Sequence, residues 1–227
     1  MKVAVMQPYF FPYIGYWQLM SHVDVFVLFD DAYYIKKGFV DRNVIKVGDK
    51  LVSIKLEVVA ASQNKLINQL QLGNNRKKLL KTISQAYRKA PFYEEVNPLM
   101  EHIFDSQEDQ LSLFLRDAIV ATATRLGIKT DIILSSDLPL AERGKKKIVP
   151  IAKLLGATDY VNMMGGRHLY HEEEFKSKGI SLSFLSSNAP VPVFGDEARH
   201  LSIIDLMMTK SAEDLSSVLR SEYSLAR

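Results

Sequence analysis

Not one cysteine occurs in the 227 residues, which excludes disulfides, thiolate nucleophiles and Cys-containing zinc sites. Histidine is scarce as well. His22, His102, His168, His171 and His200 show no HxH or HxxxH spacing with carboxylates, so no metal site is expected. The sequence has no G-x-S-x-G, no Walker loop and no G-x-G-x-x-G, and hydrolase, phosphate-loop and dinucleotide readings lose their main support. No run of about 18 uninterrupted apolar residues occurs, so no membrane span is expected. The amino terminus is broken by Gln7, two prolines and Gly15, which makes a poor signal-peptide core and points to a cytoplasmic protein. Charge of one sign is also missing. With 29 Lys and Arg against 26 Asp and Glu, and no long basic run, no nucleic-acid partner is expected.

What is present is a core-forming composition: 47% hydrophobic, 24% charged and 10% aromatic. A single α/β domain over 1–227 is expected, with a helical insertion or subdomain at 60–127 and a helical tail at 200–227. The β-branched run KVAVM at 2–6 reads as a buried strand ending at Gln7-Pro8. A helix from about Tyr13 and a second apolar run at 23–29 complete a βαβ unit. Such a unit places the loop after the first strand, and the pair Asp30-Asp31, at the carboxyl edge of a parallel sheet, where ligands bind. Segments 39–47 and 51–59 around Gly48-Asp49-Lys50 read as an inserted β-hairpin. From Asn75 to Arg125 the periodicity is helical, with Ala90-Pro91 and Asn97-Pro98 as punctuation between segments. DIIL at 131–134, DYVNM at 159–163 and GISLSFL at 179–185 are further strands, with Gly127 and Gly156 as helix stops. The fold class is therefore α/β, a Rossmann-like parallel sheet flanked by helices.

Three constellations stand out. In QPYFFPYIGYW (7–17) two prolines, a glycine and six aromatics lie between a strand and a helix. Either this is a stiffened pocket wall in which Gly15 admits close approach, or it is core packing of a rigid turn. In FDDAYYIKKGFVDRNVIK (29–46), strand alternation puts Arg42 with Val40 and Val44, as a buried, paired guanidinium, and Asn43 on the other face with Asp41 and Ile45. Lys36 and Lys37 read as a ligand edge or as a solvated turn. In 135–170, Ser135-Ser136 ends a strand, Arg143 to Lys147 is a basic stretch entering a helix, and Gly165-Gly166-Arg167 is either an anion-binding nest or a plain turn.

The blocks MQPYFFPYIGYW, FDDAYYIKKGFVDRNVIK, LGIKTDIILSSDL, LLGATDYVNMMGGRHLY and LSIIDLM stand in the order and at the separations of the WbqC-like proteins, and from about residue 3 to 210 the chain resembles that family. It departs from the family's pattern at Asn162-Met163-Met164, where a Ser-Gly-Pro type turn is common, and at Pro192 and Val193, where a Tyr-x-Gln is often seen. The resemblance implies bacterial O-antigen or other surface-polysaccharide synthesis, with transfer of a glycyl or other aminoacyl group to an amino sugar. A remoter similarity is to the first phosphate loop of the nucleotidyltransferase superfamily, with Tyr13-Ile14-Gly15-Tyr16 standing in place of its H-x-G-H. The partners implied are an amino sugar or sugar nucleotide and an amino-acid donor. ATP with magnesium, or an activated acyl donor, supplies the activation.

On this reading Asp30 or Asp31 binds the donor ammonium or serves as base on the acceptor amine, and Arg42 holds a carboxylate bidentately. The substrate- and nucleotide-binding set is Gln7, Pro8, Tyr9, Pro12, Gly15, Tyr16, Lys36, Asn43, Ser135, Ser136, Lys146, Lys147, Gly165, Gly166, Arg167 and Tyr170. The tail around LSIIDLMM (201–208) serves either the core or a homodimer contact.

Overall fold

The KVAVM run forms β1 (Lys2–Met6), whose Val3, Ala4 and Val5 are all buried, as a strand covered on both faces requires. The computed structural model describes residues 1–189 and 201–226, so Pro192, Val193 and His200 lie outside the described residues. Helix α1 (Ile14–His22) carries the chain back to β2 (Val25–Leu28), which pairs in parallel with β1 from Val3↔Val25 to Met6↔Leu28.

The sheet is then interrupted. Strands β3 (Arg42–Val47) and β4 (Lys50–Lys55) form the expected hairpin, turning at Gly48 with φ +59°. That hairpin is a separate two-stranded sheet, and β5 (Val58–Val59) with β6 (Gln71–Leu72) is another. Helices α2 (Arg76–Tyr87), α3 (Tyr93–Phe104) and α4 (Leu111–Arg125) follow. Pro98 lies inside α3 rather than between segments. The carbonyl it leaves unbonded belongs to Glu94, an exposed residue, so the missing N–H costs little there.

Strand β7 (Asp131–Leu134) rejoins the sheet beside β2, and α5 (Ile148–Leu154) leads to β8 (Asp159–Met163) on the far side of β1. Helix α6 (Glu172–Lys176), β9 (Ser181–Ser187), α7 (Ile203–Thr209), α8 (Ala212–Ser221) and β10 (Tyr223–Ala226) complete the described chain. The sheet runs β10-β9-β8-β1-β2-β7, with only β10 antiparallel. The tail is thus helical only as far as Ser221, and its last residues pair with β9 as an edge strand. Leu201, Ile203, Ile204, Met207 and Met208 are buried within the chain and serve its core. Among the described residues no helix is long and apolar enough to cross a membrane.

The topology positions a site. From β1 the chain winds outward through β2 and β7, then returns to build β8 and β9 on the other side. Where the winding reverses, between β1 and β8, the loops leaving their carboxyl ends diverge and open a crevice.

One buried pair ties α7 to the helical insertion: the Tyr87 hydroxyl donates to Asp205 at 3.0 Å and accepts from the Lys46 backbone N–H at 3.2 Å. Burial raises the Asp205 carboxyl above its ordinary range, against the opposing pull of Tyr87 and Lys46. The folded state therefore keeps this proton to higher pH than the unfolded chain does, and the contribution is fully present below the unfolded pKa. It is lost as pH rises from about 4 through the raised value. Asp205→Asn is expected to flatten that slope in a series of thermal melts against pH; an unchanged slope would place the titration elsewhere.

Candidate functional site

The aromatic loop after β1 divides its residues between core and cavity. Phe10 and Phe11 are buried and pack against Phe104, and Trp17 is buried with its indole N–H on the Pro12 carbonyl at 2.9 Å. Phe11 takes φ +44°, a left-handed conformation costly for a β-substituted residue. Asn43 holds it there. Its amide donates to the carbonyls of Phe10 at 3.1 Å and Phe11 at 2.6 Å, and Ser202 donates to the Phe11 carbonyl at 3.0 Å. Tyr16 is buried and donates to the Gln7 carbonyl at 3.1 Å, while Pro8 and Pro12 are buried as well. Tyr9 and Tyr13 turn the other way. The loop thus gives Phe10, Phe11 and Trp17 to the core and leaves Tyr9 and Tyr13 on a cavity wall.

At the switch point lies a cavity of about 970 Å³. Gln7, Tyr9, Tyr13 and Ile14 form one wall, Met163, Met164, Gly165, Gly166 and Tyr170 the opposite one, and Ser186, Ser187 and Asn188 the end of β9. Phe29, Ile35, Phe39, Ile148 and Lys145 close the remaining side. Gly15 is needed under this wall, because a Cβ there would stand 2.9 Å from both Met163 Cε and Tyr13 Cε2. At the base of the cavity Asn162 donates to the hydroxyls of Tyr160 at 2.9 Å and Tyr170 at 3.0 Å, and accepts from the Met163 N–H at 2.7 Å.

Burial raises the Tyr9 and Tyr170 hydroxyls and pushes Tyr13 up to about 12, with neighbouring phenols adding to the effect on Tyr9 and Tyr13. At neutral pH these phenols are hydrogen-bond donors, not bases. Mostly apolar walls with a few converging polar groups are the chemistry of a small-molecule site.

Behind Phe29 and Ile148 the structure gathers five of the expected residues. The Asp30 carboxylate, buried, accepts from Ser135 Oγ and Ser136 N at 3.0 Å each, Ser136 Oγ at 2.7 Å and Asn68 Nδ2 at 3.3 Å. Lys147 is buried and donates to Asp31 at 2.5 Å and to the Ser135 carbonyl at 2.7 Å, and the Ser135 hydroxyl also touches Asp31. The network ties the ends of β2 and β7 to the start of α5. Asp31 is its solvent-reaching carboxylate, with the side chain 17% exposed.

Other expected residues lie apart from the cavity. Arg42 is paired, but on the less buried face of β3, where it grips Asp41 of its own chain at 3.0 and 3.3 Å. The strand's parity buries Asn43 and Ile45 instead. Lys36 and Lys146 are exposed, and Arg167 lies over the Phe184 ring, 5.8 Å from its centroid, in a smaller cleft beside His171.

Lys145, Tyr13, Asn162, Met163 and Ser186 to Asn188 line the cavity without having been singled out as binding residues. In a run of three lysines, spacing alone does not tell which one faces inward. Among the described residues no group of three or more His, Asp or Glu is arranged to hold a metal.

Comparison with known proteins adds one curated relative, the "Uncharacterized protein Rv1507c" of Mycobacterium tuberculosis (strain ATCC 25618 / H37Rv), 26% identical over 219 residues, which cover 93% of this chain and 95% of that one. No solved structure gives a significant match. The nucleotidyltransferase similarity of the first loop finds no support in these comparisons. The WbqC-like family profile matches residues 7–217, through the cavity-lining loops and both sides of the switch point, and the chain belongs to the WbqC-like protein family.

Proposed function

We propose that this protein is a transferase of bacterial surface-polysaccharide precursor synthesis, which binds an amino sugar, linked to a nucleotide, in the switch-point cavity and moves an aminoacyl or related acyl group onto its amine. The observation that carries the reading is the cavity itself: about 970 Å³ of aromatic-walled space at the carboxyl edge of β1 and β8. That volume is in the range that encloses a ligand larger than a single sugar ring. Tyr9, Tyr13 and Phe39 supply flat apolar surface for a ring, and Ser186 and Asn188 supply hydrogen bonds for hydroxyls. On this reading Lys145 and the backbone of Gly165-Gly166, which line the cavity, take the phosphate.

In the transfer the amine nitrogen attacks the activated carbonyl carbon, a C–N bond forms, the bond to the leaving group breaks, and the amine releases a proton. ATP with magnesium or a preactivated donor provides the leaving group. Neither aspartate lines the cavity, and Asp31 is the more accessible of the two, since four donors occupy Asp30. The Asp31 carboxylate is itself paired with Lys147 and Ser135, so on this reading the amine releases its proton to water or to the leaving group.

A second reading, a non-catalytic sugar-nucleotide binder of the same pathway, is favoured by one observation: among the described residues lining the cavity there is no carboxylate or imidazole. A thermal-shift screen against nucleotide-linked amino sugars, ATP with magnesium and glycine separates the two, since ligand at a hundredfold excess over Kd adds about 2.7 kcal/mol. Stabilisation followed by a sugar that gains an aminoacyl mass upholds transfer. Stabilisation without a mass change moves the assignment to binding, and no stabilisation by any sugar nucleotide removes both. Gly15→Ala pushes Met163 and Tyr13 into the cavity at the flexible ends of their side chains. It is expected to weaken sugar-nucleotide binding about tenfold, or about 1.4 kcal/mol, with little change in the thermal midpoint.

A further inference from the structure

At the opposite, amino-terminal edge of the sheet, the end of α4 meets the turn between α7 and α8 around a cleft of about 230 Å³. Three cations line it: Arg125 from the last turn of α4, Lys210 from the α7–α8 turn, and Arg220 from the last turn of α8. Ala212, Ser216 and Arg220 follow at i, i+4 and i+8, so one face of α8 presents a hydroxyl and a guanidinium to the same space. Leu126, Met207 and Leu215 give it an apolar floor.

No carboxylate lines the cleft among the described residues. Arg125 is partly neutralised by Glu95 at 3.0 Å, whereas the side chains of Lys210 and Arg220 make no hydrogen bond or ion pair within the described chain. Arg125 and Arg220 lie in the last turns of α4 and α8 and Lys210 caps α7, so the helix C-termini offset part of their charge. Lys210 and Arg220 have no carboxylate among the described residues to complete the neutralisation.

We propose that this cleft binds a phosphate dianion, free or as the head of a small phosphate monoester. Two guanidinium forks and an ammonium match the oxygens of a phosphate. At about 30 Å³ per water the space equals about eight waters, enough for a phosphate with a short ester and too small for a nucleotide. The site is independent of the function proposed for the switch-point cavity.

The test is calorimetric titration of the full chain with inorganic phosphate at constant ionic strength, and in parallel with glycerol 3-phosphate. Saturable binding is expected in the wild type. The Lys210→Gln/Arg220→Gln double variant, altered at one half-buried and one exposed side chain, is expected to raise Kd about tenfold or more. A thermal melt confirms that this variant is folded. Tighter binding of glycerol 3-phosphate identifies a carried phosphate and equal binding a free one, and either result upholds the site. Absence of saturable binding, or an unchanged Kd in the double variant, overturns it. Loss of phosphate affinity in Gly15→Ala also overturns it, because the anion would then belong to the cavity at the other edge.

Discussion

Lys147→Met is expected to lower the thermal midpoint by about 6–20 °C, from about 3–5 kcal/mol for a broken buried ion pair and about 2–4 °C per kcal/mol in a chain of this size. Lys147 is 2% exposed and its ammonium is shared between Asp31 and the Ser135 carbonyl. With the ammonium gone, the Asp31 charge stays in a mostly closed site with only a serine hydroxyl against it. Most of the cost is that stranded carboxylate rather than the net worth of the pair. The double variant Lys147→Met/Asp31→Asn is therefore expected to be more stable than Lys147→Met alone. The only tryptophan, Trp17, is buried, and its fluorescence reports the transition directly. A Lys147→Met melt within a degree or two of the wild type would mean that water reaches Asp31 and that the network is not closed.

Asn43→Ala is expected to cost about 2–6 kcal/mol, since it takes the side-chain partner from the buried Phe10 carbonyl and the Val44 N–H at about 1–3 kcal/mol each. Phe11 keeps only Ser202 to hold its left-handed backbone. Asn43→Asp is expected to be worse, because a carboxylate cannot donate and would face two carbonyl oxygens. Chemical denaturation of the three proteins measures this order. A stable Asn43→Ala variant that has lost only its ligand would instead make Asn43 a ligand-binding group, as its place in the second sequence block suggests.

The inner part of the parallel sheet was legible because β1, β2 and β7 are short apolar runs with little polar alternation, stopped by Gln7-Pro8, Asp30-Asp31 and Ser135-Ser136. Strands covered on both faces read that way in any chain. The carboxyl-edge position of those stops followed from the parallel course of strands joined by βαβ connections. Less was legible where one residue serves two surfaces. In the aromatic loop Phe10 and Tyr9 are adjacent aromatics of similar size, and the left-handed turn at Phe11, held by Asn43 and Ser202 from distant segments, accompanies one going into the core and the other to the cavity wall.

Composition and local pattern by themselves determined the α/β class, the inserted hairpin, the helices of the insertion and the absence of cysteine chemistry. These depend on periodicity and covalent chemistry, which are local. Strand order, the pairing of Lys147 rather than Lys146 with Asp31, the seating of Lys145 in the cavity, and Arg42's grip on Asp41 were decided by tertiary structure. Neighbouring lysines carry the same charge and propensity, and only the path of the turn into α5 makes one a buried counter-ion and another a cavity wall.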